Sequence, residues 1–222
     1  LFFGAAAQFG IFFTIMAALL LNKAFPGLGF DLKTAASIGI IGAADGPTSI
    51  FVASKFAKHL IGPISVAAYS YMSLVPIIQP PVIKALTTKK ERLIRMEYKD
   101  VKVSKTVLIL FPIVITVIAG VVAPISVALV GLLMFGNLIR ESGVLERLSK
   151  TAQNELANLV TLLLGITIGS TMYYESFLNA STLMILAMGL VAFVFDTAGG
   201  VMLAKLMNLF SKEKINPMVG AA

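Results

Sequence analysis

Apolar runs divide the chain into segments about as long as a lipid bilayer is thick. A transmembrane helix needs about 20 consecutive apolar residues, and runs of this kind recur between short segments that carry Lys, Arg, Pro or Gly. The pattern predicts an all-α polytopic membrane protein with about seven membrane segments, in a single integral membrane domain, residues 1–222. The predicted segments are 1–22, 34–54, 60–83, 106–123, 125–139, 156–172 and 180–210.

One of these segments is interrupted at its centre. In SIGIIGAADGPTSIFVAS, residues 37–54, Asp45 and the Gly-Pro pair that follows it stand inside an otherwise apolar stretch. Proline removes a backbone donor and clashes with the preceding turn, and glycine weakens a helix further. We therefore predict two half-helices, 34–44 and 47–53, joined by an unwound link. The alternative is a proline kink whose aspartate faces a loop.

Composition and charge agree with the membrane assignment. The chain is 58% hydrophobic and 13% charged, about half the charged fraction of an ordinary soluble domain. The net charge of +7 comes from Lys and Arg between the apolar runs, which is typical of a positive-inside topology and does not indicate nucleic-acid binding. Residues 84–105 hold eight Lys and Arg and are predicted to form a cytoplasmic basic loop. The chain has no cysteine, which excludes disulfides and thiolate chemistry.

Two connecting segments have patterns of their own. Over residues 143–155, apolar side chains recur every four residues with charged ones on the other faces, which predicts an interfacial amphipathic helix. The stretch YYESFLN, residues 173–179, carries no Lys or Arg and is predicted to lie outside. Motifs of soluble enzymes are missing: the sequence contains no P-loop, no zinc-ligand spacing and no GxSxG.

The interrupted segment has the composition of a cation site. A carboxylate near the middle of a membrane is costly, so Asp45 has to be paired, solvated or functional. Unwound carbonyls, the Asp45 carboxylate and the hydroxyls of Thr48 and Ser49 would form a site made only of oxygen atoms. Discontinuous helices of ion-coupled transporters present this geometry to small cations.

Two further side chains leave alternatives open. Tyr71, in AAYSYMSLVPIIQPP, could hydrogen-bond a carboxylate or relay a proton, or it could anchor a helix end at the membrane interface. Asp196, in FVFDTAGG, could join an ion path. It could instead cap or break a helix, because the run 180–210 is long enough to be two pieces.

The motif INPMVG near the end of the chain resembles the one at Asp45. Asn216 precedes a proline and Gly220 lies close by, so an oxygen-bearing side chain again stands next to helix-breaking residues. A second broken helix that starts here would be a natural partner for the first in an inverted-repeat transporter-like fold.

Long strings of this sequence closely resemble a known family. They are GIIGAADGPTSIF, VAAYSYMSLVPIIQPPVIKALTTKKERLIRM, FGNLIRESGVLERLSKTAQNELANLVTLLLGITIGSTM and KINPMVGAA. The family is the membrane-embedded beta subunit of sodium-pumping, biotin-dependent decarboxylases, which act on oxaloacetate, methylmalonyl-CoA, glutaconyl-CoA or malonate. The family subunit is substantially longer than this chain, whose two ends stop abruptly. We therefore expect an internal piece that lacks the N-terminal spans and the C-terminal end.

The resemblance implies a function for the whole complex. A peripheral carboxyltransferase alpha subunit, which bears biotin, transfers the carboxyl group, and the beta subunit releases carbon dioxide from carboxybiotin. This release consumes a proton and drives Na⁺ outward. The resemblance further implies a small single-span gamma subunit, a homo-oligomer of beta subunits and the inner membrane of a bacterial or archaeal cell. Nucleic acid is not an expected partner, and the acid that feeds the complex is selected on the alpha subunit.

The resemblance also carries residue assignments. The family's essential aspartate matches Asp45 and its functional tyrosine matches Tyr71, and these two are the predicted catalytic residues. The asparagine and glycine of its second broken-helix motif match Asn216 and Gly220. With the hydroxyl of Thr48, the predicted sodium site or path consists of Asp45, Thr48, Asn216 and Gly220.

Two other functions fit the same residues. A stand-alone secondary cation/proton antiporter would use the same broken helix without an enzymatic partner. A non-catalytic membrane scaffold subunit would keep Asp45 only as a structural acid. Co-purification of a biotinyl subunit, or transport that avidin inhibits, would separate the decarboxylase subunit from both.

Overall fold

The secondary structure of the chain is built from helices. The computed structural model describes residues 2–96, 103–170, 173, 179–211 and 214–221. These residues contain no strand, which confirms the all-α prediction. The helices are α1 Phe2–Ala6, α2 Phe9–Ala24, α3 Leu32–Gly39, α4 Gly46–Phe56, α5 Ile61–Leu86, α6 Lys89–Arg92, α7 Lys105–Val122, α8 Val127–Ser142, α9 Glu146–Thr151, α10 Ala157–Ser170 and α11 Ala180–Phe210.

Within the described residues, five helical stretches are long and apolar enough to cross a membrane. This confirms a polytopic, multi-pass membrane protein. Of the other two predicted segments, 34–54 is the interrupted one. The segment 156–172 runs through α10 and ends outside the described residues. Most of the predicted outer loop YYESFLN also lies outside the described residues. The five stretches are Phe3–Ala24, Lys58–Leu86, Lys105–Val122, Pro124–Ser142 and Ala180–Phe210.

The chain packs as two compact units, residues 1–97 with 168–222 and residues 98–167. In the first unit α11 is the central helix, because α2, α5, the segment after α3 and the turn Pro217–Ala221 all pack against it. Asn179 caps its start by accepting the N–H of Thr182 at 2.8 Å. Because α11 runs unbroken for 31 residues, the alternative in which Asp196 caps or breaks this helix is wrong.

The second unit contains a helical hairpin. α7 and α8 pack against each other and are joined by a 3₁₀ turn, Pro124–Ser126. α8 ends at Gly143, whose left-handed φ of 70° favours glycine. The segment predicted as an amphipathic helix, 143–155, is helical only from Glu146 and continues through a π-helical turn into α10. Its interfacial position stays a prediction.

The short helix α6 of the first unit starts with a capping box and is paired with α11 through Lys205. The Thr88 hydroxyl and the Glu91 side chain bond each other's backbone N–H groups. Lys205 of α11 then lies with its Nζ 3.2 Å from Glu91 Oε1, and the same Nζ donates to the Leu86 carbonyl at 3.0 Å. The Thr88 N–H holds the pKa of Glu91 below its ordinary value, and Lys205 adds to this effect.

We predict that Glu91→Gln lowers thermal stability slightly at neutral pH and not in acid. A carboxylate with a lowered pKa stabilises the fold above its unfolded pKa, and this contribution is lost as pH falls through the folded pKa. Thermal unfolding of the purified protein at neutral pH and at the lowest pH at which the protein stays folded measures the effect. Glu155→Gln, at an exposed position, is the control. An equal deficit at both pH values would contradict the assignment.

Candidate functional site

The interrupted segment is broken where the sequence predicted. α3 tightens into a 3₁₀ turn, Ile40–Ala43. Ala44 then adopts a left-handed conformation with φ 51° and ψ 33°, and Asp45 is extended with φ −117° and ψ 97°. A left-handed conformation is uncommon for a residue other than glycine, so the link is a defined feature and not a smooth kink. The prediction of two half-helices is confirmed, with the second half beginning at Gly46.

Asp45 caps the second half-helix through Thr48. The Thr48 N–H donates to Asp45 Oδ1 at 3.2 Å, and the Thr48 hydroxyl donates to Oδ2 at 2.5 Å. The Asp45 side chain is exposed and lies at the positive N-terminal end of the α4 dipole. Each carboxylate oxygen keeps a lone pair that is not used in its hydrogen bond to Thr48, so Asp45 can still bind a cation.

Ser49 holds the two ends of the link together. Its hydroxyl lies 2.8 Å from the Asp45 carbonyl oxygen and 3.4 Å from the Ile40 carbonyl oxygen, and its side chain is fully buried. The sequence placed this hydroxyl near a cation. In the structure this hydroxyl bonds backbone carbonyls on both sides of the break, so it helps to hold the link in shape and does not face the Asp45 carboxylate.

Two tyrosines of α5 have different surroundings. A Cβ at Gly46 would lie 2.7 Å from two carbons of the Tyr69 ring, so this ring packs on the backbone beside Asp45. The hydroxyl of Tyr71 is buried and donates to the Leu186 carbonyl at 2.5 Å. The hydrogen bond that the sequence suggested between Tyr71 and Asp45 is therefore not formed. Both tyrosines belong to the string YSY, and residues two apart on a helix face different sides. The string therefore did not show which of the two lies beside Asp45.

The second motif caps a short turn. The Asn216 amide donates to the carbonyls of Arg92 and Ile94 at 3.0 and 3.1 Å, and its oxygen accepts the Met218 N–H at 3.0 Å. Gly220 packs backbone to backbone against Gly200 of α11. Of the four residues predicted for sodium, Asp45 and Thr48 are in hydrogen-bond contact, whereas Asn216 makes its hydrogen bonds elsewhere.

Residues next to both motifs line a cavity of about 380 Å³ in the first unit. One wall is residues 42–44 of the link, and another is Ala221, which directly follows the second motif. The Gln79 amide of α5 donates to the Ala221 carbonyl, which joins the second motif to the proline-containing part of α5. The polar side chains that line the cavity are Gln8, Gln79, Asp196 and Thr197.

Asp196 connects a second helix interruption to this cavity. Helix α1 stops before Ala7, and α2 starts after Gln8, which makes no side-chain cap. The first N–H groups of α2 therefore lack helical acceptors, and Asp196 Oδ1 accepts the N–H of Ile11 at 3.1 Å. In the sequence, Gln8 stands out only as a polar residue that breaks the apolar run 1–22, and no proline or glycine at residues 7 and 8 predicted an interruption of the helix.

The acidic and histidine side chains that the structure describes are not clustered for metal binding. Within the described residues, no three His, Cys, Asp or Glu side chains are grouped so that they could hold a metal ion. A cation at Asp45 would therefore be bound by one carboxylate together with hydroxyl, carbonyl or water oxygens. Such a weakly charged oxygen site is suited to an alkali cation that has to leave again.

Comparison with known proteins gives a consistent result over the whole chain. The family model of the Na⁺-transporting oxaloacetate decarboxylase beta subunit matches residues 1–222. The chain is 54% identical to the oxaloacetate decarboxylase beta chain of Klebsiella pneumoniae, covering 100% of this chain and 51% of that protein. It is 55% identical to the methylmalonyl-CoA decarboxylase subunit beta of Propionigenium modestum, with 100% and 54% covered.

A third relative is named for another acid. The glutaconyl-CoA decarboxylase subunit beta of Acidaminococcus fermentans is 51% identical, with 100% of this chain and 57% of that protein covered. The chain thus spans about half the length of the curated relatives it matches.

Proposed function

This chain belongs to the family of Na⁺-transporting oxaloacetate decarboxylase beta subunits, and we propose that it is part of a membrane subunit that couples decarboxylation of carboxybiotin to Na⁺ export. The observation that carries the proposal is the broken helix at Asp45. Its carboxylate is exposed in the middle of an apolar segment and is held by the backbone and hydroxyl of Thr48. A carboxylate in such a place is a functional group by default.

The coupling depends on competition at Asp45. A carboxylate binds either a proton or Na⁺ well, but not both together. Removal of the carboxyl group, which arrives on biotin, consumes a proton, so a proton withdrawn from Asp45 leaves the carboxylate free for Na⁺. Thr48 keeps the carboxylate oriented in both states through its N–H, and alternating exposure of the link completes transport. Tyr71 and the second motif, Asn216 and Gly220, belong to the proposed path and are not direct ligands of the ion at Asp45.

The partners follow from the same proposal. As a beta subunit, the chain is part of a multi-subunit decarboxylase. We assign biotin to a carboxyltransferase alpha subunit, anchoring to a single-span gamma subunit, and a homo-oligomeric arrangement to the beta subunits. The relatives named for three different acids are 51–55% identical to this chain, so similarity in the membrane part does not select the substrate.

The proposal predicts Na⁺ uptake that depends on biotin. In inverted membrane vesicles with the full complex, adding the decarboxylase substrate should drive ²²Na⁺ uptake, and avidin should abolish it because it sequesters biotin. Vesicles given an imposed pH gradient without substrate are the control for an antiporter. Uptake that follows the pH gradient and resists avidin would replace the proposal by the antiporter. Substrate turnover without any uptake would favour the scaffold.

A further inference from the structure

Asp196 is a buried acid that the coupling at Asp45 does not use. It lies in the middle of the longest apolar helix, α11, and only 5% of it is exposed. Its Oδ1 accepts the N–H of Ile11 at 3.1 Å. Its Oδ2 is fully enclosed and has no hydrogen-bond partner among the described residues. A buried carboxylate with one unpaired oxygen is costly and calls for an explanation.

The unequal use of the two oxygens is the pattern of a neutral carboxylic acid. In the protonated form one oxygen is a carbonyl that accepts hydrogen bonds, and the other carries the proton. Oδ1 acts as the acceptor, because it bonds the N–H of Ile11 at the start of α2. Oδ2 packs so closely on the link that a Cβ at Gly42 would collide with it. This leaves no room for a cation beside Oδ2 in this conformation, whereas a proton needs none.

The described side chains that line the cavity provide no positive charge. No Lys, Arg or His lines the cavity in the part of the chain that the structure describes. Around the break and on the facing part of α5, the titratable side chains are Asp45, Tyr69 and Tyr71, and none of them carries a positive charge. On α11 itself, Lys205 pairs with Glu91. Apart from the backbone N–H groups at the start of α2, an ionised Asp196 would thus have no compensating positive charge among the described cavity residues until a cation entered.

We propose that Asp196 is a proton-binding site of the ion pathway, protonated in this conformation and deprotonated when a monovalent cation enters the cavity that it lines. The step is an exchange: the O–H bond at Oδ2 breaks, the proton leaves to cavity water, and the carboxylate pairs with the entering cation. The link at Gly42 has to move away from Oδ2 for this, so the exchange connects Asp196 to the break at Asp45. The inference rests on the proposed function in taking Na⁺ as the cation.

The test counts protons released when Na⁺ is added to the weakly buffered, purified full complex, with choline chloride as the salt control. Asp196→Asn keeps the shape of the neutral acid and an oxygen for the Ile11 N–H, so it should fold and still bind ²²Na⁺ at Asp45. We expect this variant to lose one released proton per beta subunit. Release equal to that of the unmodified complex would overturn the proposal.

Asp45→Asn gives an independent arm, because it leaves Asp196 intact. Na⁺ is raised in this variant to offset the charge lost at Asp45. Proton release that persists under this condition supports exchange at Asp196, and its complete absence would overturn the proposal even if Asp196→Asn does not fold. The two ideas fail separately. Normal coupled transport in Asp45→Asn contradicts the proposed function, whereas unchanged proton release in Asp196→Asn contradicts only the role of Asp196.

Discussion

Asp45→Asn should reduce decarboxylation-coupled Na⁺ uptake to background, a loss of at least about tenfold, or ~1.4 kcal/mol. Asparagine is as good a helix N-cap as aspartate, and its oxygen can still accept the Thr48 N–H that now donates at 3.2 Å. The substitution therefore removes the charge and leaves the link in place. Without the charge, the site loses its main attraction for Na⁺ and its ability to exchange a proton. ²²Na⁺ uptake into inverted vesicles measures the loss.

Asp31→Asn is the matched control for this prediction. Asp31 also caps a half-helix of the interrupted segment, accepting the Thr34 N–H at 2.8 Å, and it is also exposed. The two variants remove the same charge from the same kind of cap, one at the start of α3 and one at the break. We expect Asp31→Asn to keep normal uptake. If Asp45→Asn keeps it as well, Asp45 does not carry the ion.

The break at Asp45 was predictable because its causes are local. Gly46, Pro47 and the capping Asp45 act within one turn of the chain, and capping needs only a side chain three residues before its partner. The left-handed Ala44 could not be foreseen, because nothing in its side chain favours that conformation. In the structure it lies between the carbonyls of Ile40 and Asp45, which the buried Ser49 hydroxyl bonds.

The interruption at residues 7 and 8 shows the opposite case. The N–H of Ile11 is satisfied by Asp196, 185 residues away in sequence, and no local rule connects the two. Tyr71 was identified from the resemblance, but its acceptor, the Leu186 carbonyl, depends on how α5 packs on α11. Hydrogen-bond partners that lie on distant helices cannot be predicted from a single sequence, because they depend on how the helices pack.

The wrong alternative at Asp196, a break in α11, came from the length of the apolar run 180–210. Gly199 and Gly200 follow Asp196, yet the helix continues through them. Both allow close approach: a Cβ at Gly199 would lie 2.7 Å from the Ala6 carbonyl oxygen, and one at Gly200 would overlap Gly220. Small residues have this role where helices of membrane proteins pack. The contact between Gly200 and Gly220 seats the second motif against α11.

Gly200→Ala should therefore displace the second motif. The new methyl group would meet the Gly220 carbonyl, a rigid backbone group that cannot move aside like a side chain. Overpacking of this kind costs about 1–3 kcal/mol. Since Ala221 and Gln79 share the cavity wall and a hydrogen bond, the displacement should also reach the cavity. We expect a lower thermal unfolding temperature for the purified protein and a marked loss of coupled Na⁺ uptake.

Gly136→Ala separates this steric effect from the general effect of alanine in a helix. Gly136 lies inside α8, and a Cβ there would meet nothing within 4 Å. Its replacement should be neutral or stabilise the protein by about 0.5–1 kcal/mol, because alanine is the better helix former. The two variants add the same methyl group to a helix, so only the contact with Gly220 distinguishes them. Equal stability and equal uptake would mean that the second motif does not depend on this close approach to α11.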